Sequence, residues 1–260
     1  MSRRMPVFFV GHGSPMNAIE SNAWSRGFRA LGEAAPTPKA ILAISAHWYL
    51  PGTFLTDNAL PETIHDFGGF PKALFDMQYP ARGSHDLAER VVRLVGEKSS
   101  LSSEWGLDHG TWSVLHHMRP EADVPVVQLS IDRRLTPAEH LALGKTLAPL
   151  RDEGIWILAS GNITHNLREA MTSRARGETA TPGWASRFDT AVEKATSQHD
   201  GDTLAKIIAT DDGRMSHPSL DHYLPLLYAV GAAGGEGAVK YPIEGFDYGS
   251  LSMRSVVIGG

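Results

Sequence analysis

Three short apolar runs in this chain each lead into a histidine: VFFVGH ending at His12, ILAISAH ending at His47, and WILASGNITH ending at His165. Each run is continuous rather than alternating and rich in Val, Ile and Leu. That is the pattern of a strand buried on both faces of a parallel sheet. Such strands, separated by helical patterns, confine the chain to an α/β architecture. A histidine just past the carboxyl end of a parallel strand stands at the mouth of the sheet, where open α/β sheets bind ligands. A fourth, His222 in HPSLDHYLPLL, opens an apolar helix. Several imidazoles converging on one mouth point to a metal site.

The rest of the pattern agrees. Strands are expected over residues 5–10, 40–45, 53–56, 101–105, 124–131, 155–159 and 252–258, and helices over 22–33, 84–97, 108–118, 184–197 and 218–232. Thr136-Pro137-Ala138-Glu139 is a capping box with proline at the first helical position, so a helix starts there and runs to about residue 152. Residues 61–71 read as a glycine-containing loop and 172–181 as an exposed polar one. No repeat, low-complexity tract or linker divides the chain. The expected fold is one α/β domain over residues 1–260, with a mixed, mostly parallel central sheet flanked by helices on both faces.

Composition narrows the chemistry. With no cysteine, the chain has no disulfides, thiolate metal sites, iron–sulfur ligands or thiol nucleophiles. A metal must be held by His, Asp, Glu, carbonyls or water. The formal charge of −5 argues against a nucleic-acid partner. No run approaches the ~18–20 apolar residues of a membrane helix. The apolar stretch at residues 5–10 is shorter than the ~7–15 residues of a signal h-region, so it reads as the first strand and the expected location is the cytoplasm.

Other residues are candidates for chemistry. His109 lies in Asp108-His109-Gly110 at a helix start, where it could orient a substrate or shuttle a proton. A capping role for that segment through Asp108 is the plain alternative. His65 and Asp66, in the loop 61–71, are candidates for a substrate-binding lid. Asp221 on a helix would point about 100° from His222, either as its hydrogen-bond partner or as a competing ligand. His217 reads as a helix-entry residue, and His85, His116, His117, His140 and His199 as surface or helix-face residues. Phosphate-binding glycine motifs, H-E-x-x-H and G-x-S-x-G are all missing.

With these residues in view, the chain resembles the class III extradiol ring-cleavage dioxygenases, closest to the DOPA 4,5-dioxygenase branch. The resemblance rests on FFVGHGSPMN, AISAHWY, TIHDFGGFP, LDHGTWSVL, VQLSID, ASGNITHNLR and DHYLPLLYAVGA, in one order, nearly end to end. It implies one divalent metal ion held by His12, His47 and His222, with His165 as acid/base or extra ligand and His109 touching substrate. It also implies a catechol and O₂ as reactants and no organic cofactor, in a monomer or small homo-oligomer. Non-haem iron oxygenases usually use two histidines and a carboxylate. An all-histidine set suits zinc as well as Fe(II). On coordination alone, a zinc-dependent hydrolase or a metal-binding protein without turnover fits the same residues.

Overall fold

The computed structural model describes residues 4–259, so residues 1–3 and 260 of the expected domain lie outside the described residues. In chain order the strands are β1 (Val7–Gly11), β2 (Ala40–Leu50), β3 (Thr53–Thr56), β4 (Ser99–Ser102), β5 (Val126–Asp132), β6 (Ile155–Gly161), β7 (Val239–Ile243), β8 (Phe246–Asp247), β9 (Leu251–Ser252) and β10 (Ser255–Ile258). Eight of them form one sheet in the order β4-β3-β5-β2-β6-β1-β10-β7. The central four, β5, β2, β6 and β1, are mutually parallel. Antiparallel pairings at β3–β5, β1–β10 and β10–β7 make the sheet mixed. The single-domain α/β class expected from the sequence is the one observed.

Continuous apolar strands are needed because both faces of the sheet are covered. Val7, Phe9, Leu42, Ile44, Ile157 and Ala159 enter one core. Phe8, Val10, Ile41, Ala43, Trp156 and Leu158 enter the other. The first core is closed mainly by helices Leu224–Ala233, Pro137–Thr146, His85–Val95 and Gly183–Ser197. The second is closed by Ala23–Ala34 and His109–Met118. Each fully buried large side chain contributes roughly 1.5–3 kcal/mol, so strand interiors hold the sheet while their ends remain free for function.

Several elements depart from the sequence expectation, each for a local reason. β2 runs through His47 to Leu50 instead of stopping at residue 45, but its register with β5 shifts between Ile44 and Tyr49. There the His47 amide donates to Ser45 Oγ, 3.2 Å away. The last helix begins at Leu224, not 218. Asp221 Oδ1 accepts the His222 amide at 2.8 Å, a local bond that competes with helix, and Pro225 sits in the first turn. His222 is therefore on a turn. The capping-box helix is present from Pro137, with both reciprocal bonds formed. It ends at Thr146, and Ala148–Arg151 continues as a 3₁₀ turn.

Residues 172–181 are not all loop, because helix Leu167–Ala175 extends into them. The strand expected at 101–105 is centred earlier, at β4, and the final one is divided into β9 and β10. His117 and His140 are buried rather than superficial. His117 Nε2 donates to Asn17 O at 2.8 Å. His140 Nδ1 lies 2.9 Å from the Tyr228 hydroxyl, where helix Pro137–Thr146 crosses Leu224–Ala233, and its Nε2 has no partner among the described residues.

Burial pushes the His140 pKa down from its ordinary 6.5 to about 4, so the folded state holds the ring neutral. The unfolded chain then binds the extra proton first. The stability from His140 is complete above about pH 6.5 and is lost as pH falls towards 4. Urea unfolding at pH 7 and pH 5 checks this. The difference in stability between the two pH values shrinks by roughly 1–2 kcal/mol in His140→Gln, and an unchanged difference refutes the assignment.

Candidate metal centre

The carboxyl ends of β1, β2 and β6 deliver the site. Residue 12 follows β1, and its amide donates to Gly161 O at the end of β6, 3.0 Å away. The next amide of that segment, Asn162 N, donates to His222 O at 2.9 Å. A Cβ on Gly161 would collide with that same carbonyl, so only glycine lets the His222 turn approach the strand. His165 is anchored by its own amide to Ser216 O at 3.0 Å and by a bridge to Leu251. His109 opens helix His109–Met118, whose N-cap is Asp108.

Five imidazoles converge. His12 Nδ1 donates to Ser160 Oγ at 2.9 Å, while that hydroxyl passes its own proton to Gly110 O. His47 Nδ1 donates to Asp66 Oδ2 and His109 Nδ1 to Asp66 Oδ1, both at 3.0 Å. His222 Nδ1 donates to Asp221 Oδ1 at 2.9 Å. With Nδ1 protonated and engaged in all four rings, each Nε2 is left as a bare lone pair. Carboxylates and hydroxyls behind ligating histidines fix the tautomer and ring orientation in this way. The His165 ring has no hydrogen bond among the described residues and stacks on His222, with centroids 3.4 Å apart and planes 3° apart.

These donors fit a bound cation. His12 Nε2 and His47 Nε2 are 3.2 Å apart. Two nitrogens on one ion at ~2.0–2.1 Å, at angles of roughly 90–109°, would be separated by about 2.8–3.4 Å. The ring centroids of His12, His47 and His222 form a nearly equilateral triangle of 5.1, 5.2 and 5.0 Å. Rings surrounding one ion at those angles would stand about 5 Å apart. His109 breaks that symmetry, lying 3.8 Å from His47 and 5.6 Å from His12. By donor-atom proximity alone, His109 groups with His12 and His47, and His222 with His165 and Asp221.

Electrostatics keep His12, His165 and His222 neutral but favour the proton on His47. Burial, followed by repulsion from His47 and His222, drives the His12 pKa well down. Burial and His222 do the same to His165. Burial takes His222 to about 4, against the opposing pull of Asp221. Burial also lowers His47, but the Asp66 bond and the Asp108 charge outweigh it and raise its pKa overall. Burial raises the Asp66 pKa, and the bonds from His109 and His47 overcome that, so the carboxyl stays ionised. Metal affinity needs deprotonated imidazole, which this environment supplies at His12 and His222, whereas a cation would have to displace a proton more readily held at His47.

The cluster floors a cavity of about 720 Å³ walled by Phe67, Phe70, Leu167 and Met171. Not every expected residue is there. Asp66 lines the cavity, but both its oxygens are committed to His47 and His109. His65 is not among the lining residues. Its Nε2 donates to Met77 O at 3.0 Å and its ring packs on Trp112 and Phe75, bracing the loop 61–71. His217 Nε2 donates to Ile163 O at 2.7 Å, which turns it away from the cluster. Sequence reasoning missed Ser160. Its signal was position: it is the last polar side chain of β6, in register with Val10.

An open mixed sheet with histidines gathered beyond its carboxyl ends defines a protein with a candidate histidine-lined metal centre. Its lineage follows from comparison with known proteins. A family model described as the catalytic LigB subunit of aromatic ring-opening dioxygenase matches residues 6–259. The chain belongs to that family and is an extradiol ring-cleavage dioxygenase. A curated Escherichia coli (strain K12) protein named 4,5-DOPA dioxygenase extradiol is 48% identical, over 99% of this chain and 96% of its own. The protein of the same name from Beta vulgaris is 37% identical over 96% and 94%. The crystal structure of an uncharacterized Escherichia coli K12 protein aligns with a TM-score of 0.86 at 42% identity, covering 98% of this chain and 100% of that one.

Because Asp66 holds two imidazoles at once, Asp66→Asn leaves one of them without an acceptor. Titration of metal-free protein against a chromophoric chelator is expected to show metal affinity reduced about 10- to 100-fold. Unchanged affinity would remove Asp66 from the support of the centre.

Proposed function

We propose that this chain opens the ring of a catechol such as DOPA beside its diol, inserting both atoms of O₂. The near-equilateral triangle of His12, His47 and His222 rings carries this reading. These three hold one divalent ion, Fe(II) for turnover, and zinc fits the same donors. When bound, the ion lowers the pKa of the diol hydroxyls and brings substrate and dioxygen together.

The chain's own residues do the rest. His165, unbonded at its ring and held neutral by burial, takes a proton from the diol and returns it during ring opening. His109, fixed by Asp66 and lining the same cavity, contacts the substrate without ligating. Asp221 and Ser160 keep His222 and His12 in the ligating tautomer. Phe67 and Phe70, on the loop 61–71, cover the reacting ring and exclude water. No helix among the described residues is long and apolar enough to cross a membrane. A single catalytic domain over residues 1–260, acting in the cytoplasm as a monomer or small homo-oligomer, completes the proposal.

Oxygen-electrode assays on protein reconstituted anaerobically with Fe(II) test it, with absorbance followed for the ring-opened product. Wild type consumes O₂ on addition of catechol and forms a yellow chromophore. His12→Ala, His47→Ala and His222→Ala lose metal by elemental analysis, whereas His109→Ala retains it. His165→Ala retains metal but loses about 10²–10⁴-fold in kcat. Full turnover in His165→Ala would refute its acid/base role. Absence of O₂ uptake by the iron form would refute the dioxygenase reaction.

A further inference from the structure

The cavity is far larger than a catechol ring, and its chemistry changes from floor to rim. Its floor is imidazole and its walls are apolar. Among the described residues its only arginine, Arg174, and its only glutamate, Glu20, are both solvent-exposed and so stand at the outer end. Arg174 belongs to helix Leu167–Ala175, where Leu167, Met171 and Arg174 recur at helical spacing and all line the cavity. Of the arginines near it in sequence, Arg176 pairs with Glu178 and Arg187 with Asp212, while Arg168 of the same helix does not line the cavity. No carboxylate among the described residues pairs with Arg174. Its guanidinium carbon instead lies 5.2 Å from the centroid of the Tyr248 ring. That contact orients the planar fork while leaving its N–H donors free.

Tyr248 is held there at a conformational cost. It lies in the three-residue turn between β8 and β9 with φ +46°, a left-handed conformation that bulky residues rarely adopt. Asp247 Oδ1 accepts its amide at 3.0 Å and helps to fix the turn. Strain of this kind persists where surrounding structure imposes it, and it clusters at ligand sites. Glu20, Arg174 and Tyr248 all line the same cavity and so form one rim, with the Asp247 carboxylate behind it acting on the Tyr248 hydroxyl more strongly than either charged neighbour.

From this arrangement we infer that Arg174, braced on Tyr248, binds the side-chain carboxylate of the catechol substrate, and Glu20 its ammonium group. The rim thus selects a catechol carrying a zwitterionic amino-acid head over one with a neutral side chain. The inference rests on the catechol ring-opening function proposed above. A planar guanidinium meets a carboxylate through two parallel bonds, which fixes the long axis of the substrate as well as attracting it. The diol then arrives at the imidazole floor end-on, with its side chain outward. Arg174 is a specificity residue and takes no part in the chemistry.

The test uses the Fe(II)-reconstituted enzyme with four probes: DOPA, 3,4-dihydroxyphenylacetate, dopamine and 4-methylcatechol. They carry both charged groups, the carboxylate alone, the ammonium alone, and neither. Arg174→Gln lowers the kcat/KM ratio of DOPA or 3,4-dihydroxyphenylacetate over 4-methylcatechol by about 5- to 30-fold, through KM rather than kcat. Arg174→Lys recovers part of that ratio, since charge remains but the fork does not. Glu20→Gln lowers the dopamine over 4-methylcatechol ratio by about 2- to 5-fold. Turnover of these catechols with ratios unmoved by Arg174→Gln overturns the inference and leaves the dioxygenase function standing. No oxygen uptake with any probe in wild type means that the function itself has failed.

Discussion

The last two residues of β6 and the amide after them tie the centre together. Ser160 takes a proton from His12 and gives its own to Gly110, at the start of the helix that carries His109. Gly161 accepts the His12 amide, and Asn162 donates to the His222 carbonyl. The His12 and His222 segments and one neighbouring helix, distant in sequence, thus share a few atoms of a single central strand. The strand is rigid because both faces are covered, and precision at its end is inherited from packing along its length. Gly161 is the point of closest approach, and no other residue type leaves room for it.

Around this hub the centre is arranged as rings with their backs held. Each imidazole of the proposed ligand set presents Nε2 because its Nδ1 already has an acceptor: a hydroxyl for His12, Asp66 for His47 and Asp221 for His222. Burial discourages protonation of His12, and His47 is the exception because it also feels Asp108. His165 differs from the other four, since its ring is stacked but unbonded. An imidazole held by packing alone keeps both nitrogens available, which suits proton movement better than ligation.

Much of the sheet was legible in the sequence, because buried parallel strands leave a simple trace of short apolar runs ending in small residues. The helix at Pro137 was legible for a comparable reason: its capping box is local chemistry, and both reciprocal bonds are formed. What escaped depends on contacts between distant segments. Helices Gly201–Ile207 and Asp211–Ser216 are too short for periodicity to show and owe their existence to packing. The hairpin of β8 and β9 carries no conventional turn signal at Tyr248, whose backbone is imposed from outside. The His222 segment reads as helix, yet Asp221 captures the next amide and delays the helix. Asp66 could be placed on a loop over the site. That it spans two imidazoles could not be read, because that follows from where His47 and His109 meet in space.

Asp66 also connects two parts of the molecule that work on different schedules. It stands on the same loop as Phe67 and Phe70, which wall the entrance, and its carboxylate reaches the backs of two rings in the centre. A displacement of that loop large enough to widen the entrance would withdraw a proton acceptor from both rings together. Admission of a molecule and firmness of the metal cage are therefore opposed. With an ion held as proposed, the cage would be weakest whenever that loop is displaced, so an occupied cavity that keeps the loop seated would also guard the catalyst.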